Sequence, residues 1–357
     1  MIFHPSIGRG RRDRVDGCAK RMKTQRGVAL IIALILVALA AMLATKLTFD
    51  GFLERRRTVG VLAAEQALHF GMGAEALAAD VLMRDAQNTK QTTLAAAWAQ
   101  PTQPLPITPQ DDPEGEPIGT LQGEVEDMRG RFNLNSLAHL IPGTNQQQTN
   151  QQPAGQQQMV QDPQPLAQFQ RLLAAVGVEP KWAAIARDWI DADDIPGSPD
   201  GAEDQIYTSQ LPPYRTGNWP MLNPSELMNL PGFGADRYRK IEPYVTALPT
   251  AIPNINVCTA SGPVLDSLKD NMSDYGGNPE ILTNGRKNGC FPDLPTIRNV
   301  LGPAALAQVA TVIVDTSPYF RLTTRVTLGT TEFTLYSLLV RGNGGKITPL
   351  LRSFGTP

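Results

Sequence analysis

The hydrophobic pattern changes period several times along the chain, and the first change is the sharpest. From Val28 to Thr45 no residue is charged, and Leu, Ile, Ala and Val dominate. A helix in an aqueous core keeps a polar face over such a distance, whereas an uncharged run of about 18 residues is just long enough to cross a bilayer. Beyond Thr48 apolar residues continue through Phe49, Leu53, Val59, Leu62, Ala63, Ala67, Phe70, Ala74, Leu77, Ala78, Val81 and Leu82, most of them at three- or four-residue steps, with charged residues between them. That spacing predicts an amphipathic helix continuing out of the apolar one. A single helix from Val28 to about Asn88 would be roughly 90 Å long at 1.5 Å per residue.

Further on, the pattern alternates between short strands and short helices. Pro101 to Pro117 reads as a connector, and the alternation from Ile118 to Met128 as a strand. Residues 143–165 are rich in Gln, Asn and Pro with almost no large apolar residue, so this stretch cannot bury a core and is expected to be a mobile loop. Leu166 to Trp189 has helical periodicity. Short helices are expected over Asn223–Val245, around a Leu-Pro-Gly-Phe-Gly turn, and over Val264–Val312. Three strands close the chain, Tyr319–Leu328, Glu332–Val340 and Lys346–Leu351, joined by Gly329 and by the turn from Gly342 to Gly345. The pattern therefore gives an α+β protein in which strands flank a long helical middle.

Charge changes the reading of the amino terminus. The net charge is only -2, but eight Lys and Arg residues precede the apolar run against Asp13 and Asp16. A basic cluster before a membrane helix keeps that end in the cytoplasm and places the chain beyond Lys46 on the far side. An ordinary secretory signal is the rival, with Ala38-Leu39-Ala40 as its cleavage site, but the apolar run is longer than such signals carry. Of the three cysteines, Cys18 precedes the run, whereas Cys258 and Cys290 lie after it. If the later part is exported, that pair can form a disulfide; otherwise the two are separate thiols.

Two constellations bear on chemistry. Asp188, Asp191, Asp193, Asp194, Asp200, Glu203 and Asp204 crowd one short stretch with Gly197 and Gly201 between them. Carboxylates and carbonyls on a loop suit a hard cation such as Ca²⁺, although the spacing is not that of an EF-hand, and a solvated acidic loop is the competing reading. Asp191, Asp193, Glu203 and Asp204 are the expected main ligands, with Asp188 and Asp200 secondary. The second is Asn229-Leu230-Pro231-Gly232-Phe233-Gly234 with Arg237, Arg239 and Lys240, which looks like a helix-hairpin-helix turn. In an acidic, exported region it is expected to be a plain helix junction, with no nucleic acid as partner. His4, His69 and His139 are the only histidines, and the metalloprotease, hydrolase-elbow and phosphate-loop motifs are missing, so no catalytic site is read.

A basic leader ending in Gly27, then an apolar helix running into an amphipathic one, resembles the type IV pilin and pseudopilin signature. The resemblance implies cleavage by a prepilin peptidase between Gly27 and Val28, methylation of the new terminus and retention of the membrane helix. Most pilins carry Glu at mature position five, which here is Ile32. That departure resembles the K-type minor pseudopilins of type II secretion. So do RFNLNSL (Arg131–Leu137), DWIDADD (Asp188–Asp194), GAEDQIY (Gly201–Tyr207), INVCTA (Ile255–Ala260, usually INVNTA) and YFRLTTRVTLG (Tyr319–Gly329). The likeness spans Met22 to Pro357 apart from the Gln-rich stretch, and residues 1–21 are expected to lie upstream of an initiator at Met22 or to form a long leader.

By this resemblance the fold is pilin-like, a long helix on an antiparallel sheet with a large helical domain inserted in the sheet. The expected parts are leader 1–27, membrane helix 28–47, amphipathic helix and first strand 48–134, insertion 135–310 with its acidic loop 188–207, and closing strands 311–357. The resemblance implies bound Ca²⁺ and a single-pass inner-membrane protein whose C-terminal domain is periplasmic, in a Gram-negative cell. The implied partners are the I- and J-type minor pseudopilins and the major pseudopilin, together with the inner-membrane secretion platform; the implied role is to initiate and cap a pseudopilus. A calcium-dependent periplasmic binding module outside any filament is the alternative.

Overall fold

Arg26–Asn88 forms one helix, α1, in a computed structural model that describes residues 26–109, 112, 114–142 and 159–355. The leader up to Gln25, Cys18 and most of the Gln-rich stretch (143–158) lie outside the described residues. Helical backbone begins before Val28, so Gly27 is already helical here. The chain divides into two units, 1–61 and 62–357. In the first, every large apolar side chain from Val28 to Leu47 is exposed, and the helix is long and apolar enough to cross a membrane.

In the second unit, α1 buries Ala67, Gly71, Ala74, Glu75, Ala78 and Leu82. This stripe is narrower than the sequence suggests, because Phe70, Leu77 and Val81 stay exposed. Small residues let the helix approach the sheet closely: an added Cβ on Gly71 would lie 3.0 Å from the Leu335 side chain. The sheet has five antiparallel strands in chain order: β1 (Leu105–Ile107), β2 (Gly119–Asp127), β3 (Tyr319–Leu328), β4 (Thr331–Arg341) and β5 (Ile347–Phe354). The β1 strand lies within the expected connector. Strict alternation along β3 sends Phe320, Leu322, Val326 and Leu328 inward, where they meet Ala78 and Leu82 in one cluster and Ala67 in another.

One polar group interrupts this apolar contact. Glu75 is buried on α1, accepts from Ser337 on β4, and forms a two-bond pair with Arg352 on β5 (2.8 and 2.7 Å). Burial alone would raise its carboxyl pKa, but Arg352 and Ser337 outweigh it and the value is lowered. Stability from this group is therefore present above the ordinary carboxylate value and lost as pH falls through the folded one. The Arg352 side chain is 41% exposed against 6% for Glu75, so the two partners are not equivalent. Arg352→Met strands a buried carboxylate and should cost about 3 kcal/mol. Glu75→Gln leaves an arginine that water can reach and should cost about 1–2 kcal/mol. Urea denaturation of both variants checks this, and equal costs would contradict it.

The chain leaves the sheet after Asp127 and returns at Tyr319, so the insertion is wider than 135–310. Its helices are α2 (Pro163–Ala175), α3 (Trp182–Ile190), α4 (Asp204–Tyr207), α5 (Gly234–Ile241), α6 (Gly262–Asp266), α7 (Pro279–Gly285) and α8 (Leu294–Val309). The single periodic stretch expected over 166–189 is two helices, because Gly177 takes a left-handed φ of 70° just past the end of α2. The insertion has its own core, with Phe132 stacked on Phe169 at 5.0 Å.

The asparagines of the quoted motifs tie this core together. Asn135 donates to Met221 and Leu248 carbonyls and accepts from the Met221 N–H. Asn133 accepts from Leu248 N–H and donates to Thr250. Asn256 donates to the Thr92 carbonyl and to Asp127, joining the insertion to the chain just after α1 and to the end of β2. Cys258, where the related motif usually has Asn, is disulfide-bonded to Cys290.

Candidate metal site

Three carboxylates meet at the end of α3. Asp188 lies in its last turn and is fully buried. Its Oδ2 accepts from the N–H groups of Gly197 (2.8 Å) and Ala202 (2.9 Å). The loop between them folds tightly over this carboxyl, and an added Cβ on Gly197 or Gly201 would run into it. Asp191, which closes α3, accepts from Gln161 Nε2 at 2.9 Å through Oδ2. Glu203 precedes α4 and is 4% exposed.

Four carboxylate oxygens here have no hydrogen-bond partner: Asp188 Oδ1, Asp191 Oδ1 and both oxygens of Glu203. Arg187 comes only to 3.7 Å from Asp188 Oδ1. One oxygen from each of the three residues lies within 4.8 Å of the others. Burial pushes the Glu203 carboxyl up to about 7, with the charges of Asp188 and Asp191 adding to it. Burial likewise takes Asp191 up to about 6 against the Gln161 hydrogen bond, and raises Asp188 despite its two N–H donors. Buried, unpaired carboxylates facing one another are costly unless a cation lies between them. Oxygens up to about 4.8 Å apart fit around an ion with Ca–O distances of about 2.4 Å. The donor set is all oxygen and hard, with Glu203 free to bind through two atoms and the aspartates through one each.

Of the six expected ligands the structure brings together Asp188, Asp191 and Glu203 and not the other three. Asp193 Oδ1 accepts from the Ile195 N–H in a local turn. Asp200 is exposed. Asp204 faces Arg215 at 3.2 Å and accepts from the N–H and hydroxyl of Thr216. Gln161, which holds Asp191 from the end of the Gln-rich stretch, carried no signal in the sequence.

The turn resembling helix-hairpin-helix has its cations engaged internally. Arg237 forms a two-bond pair with Glu179, Arg239 pairs with Asp236, and Lys240 donates to the Gly177 carbonyl. His139 bonds Asp162 at 3.0 Å, and His69 is exposed on α1.

Residues 130–250 match the family model described as Type II secretion system (T2SS), protein K. The type II secretion system protein K of Pectobacterium carotovorum is 32% identical, with 93% of this chain and 97% of that protein covered. The Pseudomonas aeruginosa protein of the same name is 33% identical, with 93% of each covered. A chain in the crystal structure of the GspK–GspI–GspJ complex of enterotoxigenic Escherichia coli superposes with a TM-score of 0.67 at 25% identity, covering 84% of this chain and all of that one. The α+β, pilin-like fold is common to both. The protein described here belongs to the type II secretion system protein K family.

Proposed function

We propose that this chain is the minor pseudopilin that, with I- and J-type partners, starts and caps a periplasmic pseudopilus. The carrying observation is the exposed, uncharged Val28–Thr45 stretch of α1 with Ile32 in place of an acid. An acid there would need a partner inside the bilayer; in a filament that partner is the amino terminus of a neighbour. A subunit without it has no neighbour to reach toward, which suits the tip. The related E. coli chain crystallised with GspI and GspJ supports the choice of partners.

In this reading a prepilin peptidase cuts between Gly27 and Val28, the helix stays in the inner membrane, and the rest is periplasmic. Asp188, Asp191 and Glu203 hold Ca²⁺, which neutralises them and pins the loop between α3 and α4. The role is structural and uses no catalytic group. The test is co-purification of the full chain from membranes with the I- and J-type pseudopilins of its own system. A stable three-protein complex is expected, and Ile32→Glu should reduce the pseudopili formed in cells. Recovery of the inserted chain with neither partner would refute the assignment.

A further inference from the structure

Asp204, outside the carboxylate group, holds another part of the chain. Residues 208–219 come after α4 with neither helix nor strand. Asp204 Oδ1 accepts from the Thr216 N–H (3.1 Å) and hydroxyl (3.0 Å). Asp194 Oδ1 accepts from Asn218 Nδ2 at 3.0 Å. The Tyr214 ring stands edge-on to Tyr207 at 5.4 Å, and an added Cβ on Gly217 would lie 3.2 Å from the Trp189 carbonyl oxygen. Most of these anchors are close sequence neighbours of the three carboxylates: Trp189 lies between Asp188 and Asp191, Asp194 just after them, Asp204 directly after Glu203 and Tyr207 one turn on; Tyr214 is held separately, its hydroxyl donating to the Asn229 carbonyl at 2.7 Å. At the far end of this strap Trp219, Met221 and Leu222 line an apolar cavity of about 620 Å³ with Pro249, Leu350 and Leu351. Trp219 and Leu222 are each 71% exposed.

We propose that a cation held by Asp188, Asp191 and Glu203 orders the 208–219 strap through Asp204 and Asp194, and so sets the Trp219 wall of that cavity. The proposal rests on the cation reading above. Without a cation, both Glu203 oxygens are buried and unpartnered beside two further carboxylates, and no side-chain hydrogen bond holds the Glu203 carboxylate against that repulsion. Glu203 is the N-cap of a one-turn helix and directly precedes Asp204, so its departure shifts Asp204 and loosens that residue's hold on Thr216. With a cation the same three residues are drawn inward and the anchors are fixed.

The experiment pairs titration calorimetry with Ca²⁺ alone and hydrogen exchange of the full-length chain in detergent. Ca²⁺ should bind and slow exchange across 208–219 by about tenfold or more relative to chelator. Asp204→Ala should keep Ca²⁺ affinity within about threefold, as for a charge near but not on the ion, and abolish the exchange difference. The milder pair Thr216→Val and Asn218→Ala should do the same if Asp204→Ala fails to fold. Binding without a change in strap exchange would overturn the coupling while leaving the cation site intact. No binding heat would overturn both. A loss of affinity beyond about a hundredfold in Asp204→Ala would make Asp204 a ligand and end its role as an anchor.

Discussion

Gly27→Leu should leave the protein at its precursor length, whereas the natural chain is expected to mature to begin at Val28. A peptidase needs the scissile peptide extended in its cleft, and Gly27 starts out as the second residue of α1. Glycine is about 1 kcal/mol worse than alanine inside a helix, and leucine is close to alanine. The natural chain can therefore unwind its first turn at little cost, where the variant resists unwinding and adds bulk at the cut. N-terminal sequencing of both proteins from membranes decides the matter. A natural chain beginning after Ala40 would mean a secretory signal and a lost anchor. A Gly27→Leu chain that still began at Val28 would remove the glycine from the argument.

Chelation of the proposed Ca²⁺ should produce the other large effect. At a Ca²⁺ concentration about a thousand times the dissociation constant, binding to the folded state alone adds about 4 kcal/mol. For a domain of this size that is a fall in melting temperature of about 10 °C when the ion is removed. The pH dependence should reverse at the same time. In chelator, Glu203 and Asp191 have folded values near 7 and 6, above those of unfolded carboxylates. Their contribution is full below the unfolded values and is lost as pH rises through about 6 to 7. With Ca²⁺ the carboxylates are held ionised, and stability is instead lost as pH falls. Glu203→Gln should melt at least as high as the chelated natural chain near pH 8 and be indifferent to Ca²⁺. Melting curves at pH 5 and pH 8, with and without Ca²⁺, supply the check; parallel pH trends would sink the site.

The sequence and the structure agree most closely where periodicity is strict. The strand read as Tyr319–Leu328 has those bounds, because alternate residues face a single core. The α1 stripe was harder to read, since Leu77 and Val81 are apolar yet exposed while Glu75 is charged yet buried. What decides Glu75 is Arg352, far away in sequence, and no local pattern reveals such a pair. The acidic loop shows the same limit. Its composition points to a cation, but choosing among seven carboxylates depends on which ones the Gly197–Gly201 fold-back buries. Asp204 looks like a ligand in sequence and Asp194 lies in the same acidic run; both become anchors because Thr216 and Asn218 come back to meet them. The disulfide was half legible: counting isolates the pair, and the fold joins Cys258 to Cys290.

The five strands are neighbours in space in the same order as along the chain, yet Asp127 pairs directly with Phe320. The centre of the sheet is thus a hairpin whose loop is an entire folded domain. Pairing β2 with β3 in an unfolded chain would close a very long loop, and such closure is slow. Once the insertion has collapsed around Phe132 and Phe169, its two ends are near one another and the loop is effectively short. On loop-closure grounds the insertion is expected to condense before β2 pairs with β3. A nascent chain would thus leave the sheet open until the insertion has emerged, and truncations within the insertion should leave the sheet unformed rather than merely smaller.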